Sequence, residues 1–239
     1  MNCRNGKDRR GKLPNFWVTL PNLLGSIIKI AMTNHPDERL QWPAPERNKS
    51  FILEVLRDVL LETILDGSLV LEIGSGSGAH ICHFASQLQN FRWQPSDPED
   101  HHQKSIKAWI KHVKTKNILP PIYLDTREEP WPIKKADAIL CINMIHISPW
   151  ESCQNLFSGA SRILPRDGVI YLYGPFSVDG IHTADSNAIF DRSLKSRNSE
   201  WGVRDLNGVR QVAENNSFRM TKKIYMPANN LSLVFNSVR

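Results

Sequence analysis

Apolar positions along this chain switch repeatedly between a strand-like and a helix-like period, and each switch marks an element. The run SFILEVLRDVLLETILDGS (50–68) puts Phe51, Val55, Val59 and Leu60 near helical spacing, with Gly67 as a stop. Residues 69–73 form a short apolar strand that opens into a glycine loop. Helical spacing resumes at Ile81, Phe84, Ala85 and Leu88. NFRWQPSD reads as a second strand ending near Asp97, and SIKAWIKHV as a helix with Ile106, Trp109, Ile110 and Val113 inward. PIYLD is a third short strand. DAILCIN is a fourth, apolar throughout as a strand buried on both faces requires. SPWESCQNLFSGASRIL is a helix opened by a capping box of Ser148 and Glu151, with Pro149 in its first turn. GVIYLYG is a fifth strand. Asp205 caps a helix over 206–214, and FRMTKKIYM and LSLVFNSV close the chain as a hairpin across PANN.

A helix, five strand–helix units and a hairpin predict an α/β fold: a doubly wound parallel sheet whose last strand runs antiparallel. There is no internal repeat and no low-complexity linker, so one domain is expected. Residues 175–204 exceed the ~2–6 residues of an ordinary strand–helix connection. They are expected to form an insert that covers a site as a lid.

Charge alters this picture only at the start. The net charge is +6, but residues 1–31 carry +5 of it. A nucleic-acid partner would therefore depend on those residues, and the rest of the chain gives no reason to expect one. Pro14 and Pro21 interrupt them and no period is sustained. They are expected to be a disordered or misassigned extension, with Met32 as the native start and 32–239 as the domain. Four scattered cysteines without CxxC spacing point to reduced thiols in a cytoplasm, with neither a disulfide framework nor a zinc site. No apolar run reaches the ~18–20 residues of a membrane span. Nothing fixes the oligomeric state.

The candidate chemistry begins at LVLEIGSGSGAH (69–80). Gly74-x-Gly76-x-x-Ala79 fits a dinucleotide loop, whereas Gly74-x-Gly76-x-Gly78 fits a nucleoside-like ligand without phosphates. Glu72 would repel a pyrophosphate and attract an ammonium or sulfonium; it could equally cap the loop. Asp97, at the end of the second strand, stands where an acid accepts ribose hydroxyls, or caps the next helix. Asp125 ends the third strand and marks the side where a base would lie. Arg47 and Asn48 are placed to fold over a cofactor, although PE beside them also suits a helix start.

The segments VLEIGSGSG, WQPSD, DAILCINMIH and RILPRDGVIYLYG, with the closing hairpin, resemble the class I S-adenosylmethionine-dependent methyltransferases. More closely, PAPERNKSFILEVL, WQPSD, NMIHISPW, LYGPF, GIHTADSNAIFDRSLKSRN, WGVRDL and MPANNLSLVF resemble the methyltransferase-like 26 family, from about residue 43 to the C terminus. That family's loop has an alanine and a threonine where Gly74 and Ser77 stand here, all small side chains. The resemblance implies the strand order 3-2-1-4-5-7-6 and S-adenosyl-L-methionine as cofactor. It further implies a glycine loop against the methionine part and an acid on the ribose. Glu72, Gly74, Ser75, Gly76, Gly78, Asp97, Asp125, Asn143, Arg47 and Asn48 are the cofactor candidates.

The acceptor should sit beyond the carboxyl ends of the strands, where NMIH, YGPF and PANN converge. His146 is the first candidate base, because imidazole titrates near neutrality; His182 and Tyr173 follow. Met144, Phe176, Asn187, Arg204, Asn229 and Asn230 are the pocket candidates. His80 and His83 share a helix face but have no third ligand nearby, so no metal is expected. The leading expectation is methyl transfer to a small-molecule acceptor. A non-catalytic cofactor-binding regulator, an RNA methyltransferase using the basic segment, and more remotely a dinucleotide enzyme remain alternatives at this point.

Overall fold

A computed structural model describes residues 37–239. The expected boundary after residue 31 and the basic segment before it lie outside those residues. The elements are α1 (Pro43–Thr63), β1 (Leu69–Ile73), α2 (Ala79–Gln87), β2 (Arg92–Ser96), α3 (Asp100–Val113), β3 (Ala138–Ile142), α4 (Trp150–Ile163) and β4 (Val169–Gly174). Then come β5 (Phe176–Val178), β6 (Ile181–His182), α5 (Asp185–Arg197), β7 (Arg204–Asp205), α6 (Leu206–Asn215), β8 (Phe218–Met226) and β9 (Asn230–Ser237).

The main sheet has the order β2-β1-β3-β4-β9-β8. β1, β2, β3 and β4 are mutually parallel, and β9 is antiparallel to both its neighbours, so β8 runs with the first four. The doubly wound sheet with an antiparallel last strand is therefore present, and so is the implied order except at one edge. The expected third strand is reduced to two isolated bridges, Trp93↔Ile118 and Ser96↔Ile122. Pro95, Pro120 and Pro121 lack the N–H donors that a continuous ladder would need.

Each face of the sheet carries its own core. Leu71, Ile73, Ile139 and Leu172 pack against α4 and α6, while Val70, Leu140 and Tyr171 pack against α1 and α2. α1 differs from expectation at both ends. Trp42 precedes it and Pro45 sits in its first turn, so it starts seven residues before residue 50 and stops at Thr63. Its inward stripe is Ile52, Leu56, Val59 and Leu60; Phe51 faces solvent at 46% exposure. Truncating a fully buried leucine of this stripe, such as Leu56, to alanine costs ~2–5 kcal/mol. The capping box at α4 does not form. Ser148 Oγ donates instead to the Met144 carbonyl at 2.9 Å, because α4 begins at Trp150. Asp205 does cap α6, accepting from the N–H groups of Asn207 and Gly208.

Residues 175–204 contain β5, β6 and α5, and β5 joins β6 and β7 in a separate three-stranded sheet. Because β8 parallels β4, the turn at 227–230 lies at the same rim as the carboxyl ends of β1, β3 and β4.

Candidate active site

A cavity of about 1420 Å³ opens at that rim. Ile73, Ile142 and Tyr173, the ends of β1, β3 and β4, form its floor. Drug-sized ligand sites run to ~300–1000 Å³, so this cavity is larger than one such ligand requires.

One wall is the glycine loop. Gly74 (φ +69°) and Gly76 (φ +54°) hold left-handed backbone, which side chains disfavour. A Cβ at Gly76 would stand 2.6 Å from the Trp42 ring, and one at Gly74 would stand 2.9 Å from Met144. The loop is fastened to β2: Ser75 N–H donates to the Ser96 carbonyl at 2.9 Å, and Gly76 N–H to Asp97 Oδ2 at 2.8 Å. Asp97 is 3% exposed. Its Oδ1 also accepts from Glu99 N–H at 3.0 Å and pairs with His102 Nδ1 at 2.9 Å.

The opposite wall comes from the insert and the hairpin turn. Ser186, Asn187, Phe190, Glu200 and Trp201 line the cavity beside Pro227–Asn230. Asn187 Nδ2 donates to the Asn229 carbonyl at 2.9 Å and to Thr183 Oγ1 at 3.0 Å. Asn229 Nδ2 donates to Ser186 Oγ at 3.1 Å.

Of the residues expected from sequence, Gly74, Ser75, Gly76, Asp97, Asp125, Asn143, Arg47, Asn48, Met144, Tyr173, Asn187, Asn229 and Asn230 line the cavity. Arg47 and Asn48 do so from the first turns of α1 rather than from a loop. Asn48 Oδ1 accepts from His80 Nε2 at 2.7 Å. Burial pushes the Tyr173 phenol above its ordinary value, and the Asn48 amide and Arg47 guanidinium offset this only in part. Asp125 is engaged by Arg127, whose Nε and Nη2 reach its two oxygens at 3.0 and 2.6 Å. That side-chain pairing draws its pKa down.

Six expected residues lie elsewhere. Glu72 does not face the cavity. Strand alternation puts it on the Val70 side of β1, where burial raises its pKa to about 8 and Oε2 has no partner. Gly78 (φ +88°) precedes α2 and abuts the Cα of Ile106, where a Cβ would come within 2.9 Å. His146 is fully buried, so its pKa falls to about 3. Its Nδ1 accepts from Arg204 N–H at 3.3 Å, and Nε2 has no partner. The cause is local: Asn143 (φ +60°) starts a 3₁₀ turn over Met144–His146 that aims Met144 at the cavity and His146 into the core. Phe176 is buried beside it, ring centroids 5.0 Å apart. His182, on β6, faces Asp191 Oδ2 at 3.7 Å instead. The Arg204 guanidinium donates to the carbonyls of Ile145, Ser148 and Glu200 behind the wall, at 2.8, 2.5 and 2.8 Å.

Trp42, His101 and His102 line the cavity without having been expected, and Phe190 and Trp201 do so from the insert expected to cover a site. For His102 a signal existed: it follows a strand-end acid by five residues, which is the first turn of the next helix. Among the described residues no three metal-ligating side chains converge, and no helix is long and apolar enough to cross a membrane.

Residues 39–237 match the family described as "Protein of unknown function (DUF938)". The fold is similar to that of an O-methyltransferase family 2 protein from Planctomyces limnophilus solved with apigenin, with TM-score 0.67 and 18% identity over 80% of this chain and 62% of the other. It is similar to an O-methyltransferase family protein from Burkholderia thailandensis, TM-score 0.69, 10% identity, 81% of this chain and 57% of that one. The chain thus spans about three fifths of the length of these two proteins. YcgJ from Bacillus subtilis matches over 99% of its own length and 81% of this chain, with TM-score 0.61 and 11% identity. The fold is the Rossmann-like fold of class I methyltransferases.

Proposed function

We propose, from the premise that this chain belongs to the DUF938 family and has a methyltransferase fold, that it methylates a small molecule using S-adenosyl-L-methionine. The supporting observation is the joint between the Gly74–Gly76 loop and the buried Asp97 at the carboxyl rim of the sheet. The residues present fit the cofactor. Gly74 and Gly76 line the cavity in left-handed backbone, with no side chain of their own between that backbone and a ligand, and Asp97 keeps one oxygen with a single protein partner. Gly74, Ser75 and Gly76 would hold its methionine part, Asp97 its ribose, and Asp125 would lie toward its base. The bound cofactor would supply a methyl group activated on a sulfonium. Neither Glu72 nor His146 is part of this assignment, because both carboxyl and imidazole lie off the cavity.

Our reading of 175–204 is a lid over the acceptor. Phe190 and Trp201 would give the acceptor apolar contact, and Tyr173, a phenol kept protonated by burial, would orient it by hydrogen bonding. One fold neighbour is solved in complex with apigenin, a small planar molecule of a size this cavity admits. The likeness to the methyltransferase-like 26 family belongs to the same proposal.

A regulatory, non-catalytic binder is the second reading, favoured by the withdrawal of His146 and His182 from the cavity wall. Calorimetry with S-adenosylmethionine, S-adenosylhomocysteine and NAD, followed by a labelled-methyl screen of metabolites, separates these. Binding of the first two with transfer of label is the expected result. Binding without any transfer favours the regulator, and binding of NAD alone overturns both.

A further inference from the structure

Asp97 has a partner on the next helix that gives the site a second acceptor. His102 stands in the first turn of α3, with Nδ1 2.9 Å from Asp97 Oδ1. Both oxygens of Asp97 already accept backbone N–H groups, from Glu99 and Gly76. A carboxylate in that role only accepts, so the shared proton sits on Nδ1, and in that tautomer the ring's lone pair sits on Nε2. The ring is fixed in place. Trp42 meets it edge-on at 5.2 Å and His101 packs at 4.1 Å. The side chain is 19% exposed and lines the cavity. Among the described residues nothing bonds Nε2. A carboxylate has about four acceptor positions. Oδ1 uses two, for Glu99 and His102, and Oδ2 uses one, for Gly76, so one position on Oδ2 is left.

We infer, resting on the cofactor reading above, that Asp97 and His102 together form a site for a vicinal diol. Asp97 Oδ2 accepts one ribose hydroxyl and His102 Nε2 accepts the other. The Nδ1–H of the same imidazole holds the carboxylate in the orientation that the first contact needs. The site therefore selects a ribonucleoside with both hydroxyls free, and His102 is a ligand contact as well as a positioning residue.

The test is calorimetry with S-adenosylhomocysteine and its 2′-deoxy and 3′-deoxy analogues, on the full chain and its His102→Ala and His102→Asn variants. Thermal melting of each variant reports folding independently. The unsubstituted protein should lose roughly tenfold in affinity for each missing hydroxyl. In His102→Asn the amide replaces the Nδ1–H donor but offers nothing at the Nε2 position. It should bind S-adenosylhomocysteine more tightly than His102→Ala does. It should keep the penalty for one analogue and lose it for the other. The inference is overturned if His102→Asn rejects both analogues as the unsubstituted protein does, or if His102→Ala binds S-adenosylhomocysteine with unchanged affinity. In either case the cofactor reading stands. If the unsubstituted protein fails to bind S-adenosylhomocysteine, that reading falls and this one with it.

Discussion

The loop wall joins segments 21 positions apart, through backbone groups at adjacent strand ends and one buried carboxylate. The insert wall joins α5 to the 227–230 turn across 42 positions, through the Asn187 side chain, and Arg204 ties the insert to Ile145, His146 and Ser148 across 56 to 59 positions. Strand pairing dictates the geometry of the first wall. The second depends on a few side chains that reach over. On the proposed function the loop wall is the donor side and the insert wall a separately fastened acceptor side, each open to disturbance without the other.

Gly76→Ala attacks the loop wall most directly. It forces a side chain into left-handed backbone and into the Trp42 ring. It should cost ~1–3 kcal/mol of stability and weaken S-adenosylhomocysteine roughly 100-fold by calorimetry. Unchanged affinity would detach this wall from the cofactor.

Glu72→Gln probes the ground beneath the loop. The folded carboxyl has a pKa near 8 against an ordinary 4.5. The stability linked to it is therefore complete below about pH 4.5 and is lost as pH rises through 8. His80 and His146 act oppositely. Their pKa values fall to about 3, so their contribution is present above pH 6.5 and fades as pH drops toward 3. Urea unfolding should show the glutamine variant stabilised at pH 8, by on the order of a few kcal/mol, and near parity at pH 5. An equal difference at both pH values would refute a neutral buried Glu72.

Arg204→Met leaves three carbonyl oxygens without their donor. It should lower kcat/KM for the acceptor about tenfold while the affinity for S-adenosylhomocysteine holds. If both fall together, the walls are not independent. Asn187→Ala removes only the link to the turn, and a roughly threefold rise in acceptor KM is expected, read from steady-state transfer kinetics.

The two walls also differ in how far sequence discloses them. Gly74, Gly76 and Asp97 follow from spacing along consecutive elements, and the hairpin turn at 227–230 follows from strand direction. His146 does not. Its orientation depends on a left-handed Asn143 and one 3₁₀ turn, which no periodicity announces. Arg204 and Phe176 fail for a related reason: a residue near the rim by sequence faces either way, depending on packing. The missing third strand is different, since Pro95, Pro120 and Pro121 are a readable cause. Glu72 shows the limit of proximity in sequence, because a strand sends neighbouring side chains to opposite faces.

The partners of Arg204 are carbonyl oxygens rather than carboxylates. Carbonyls do not titrate, and salt screens a hydrogen bond to them less than it screens an ion pair. The backing of the insert wall thus holds its form across the range in which an assay would be run. His146, packed behind that wall, stays neutral throughout the same range and adds no bend of its own to a pH–rate profile.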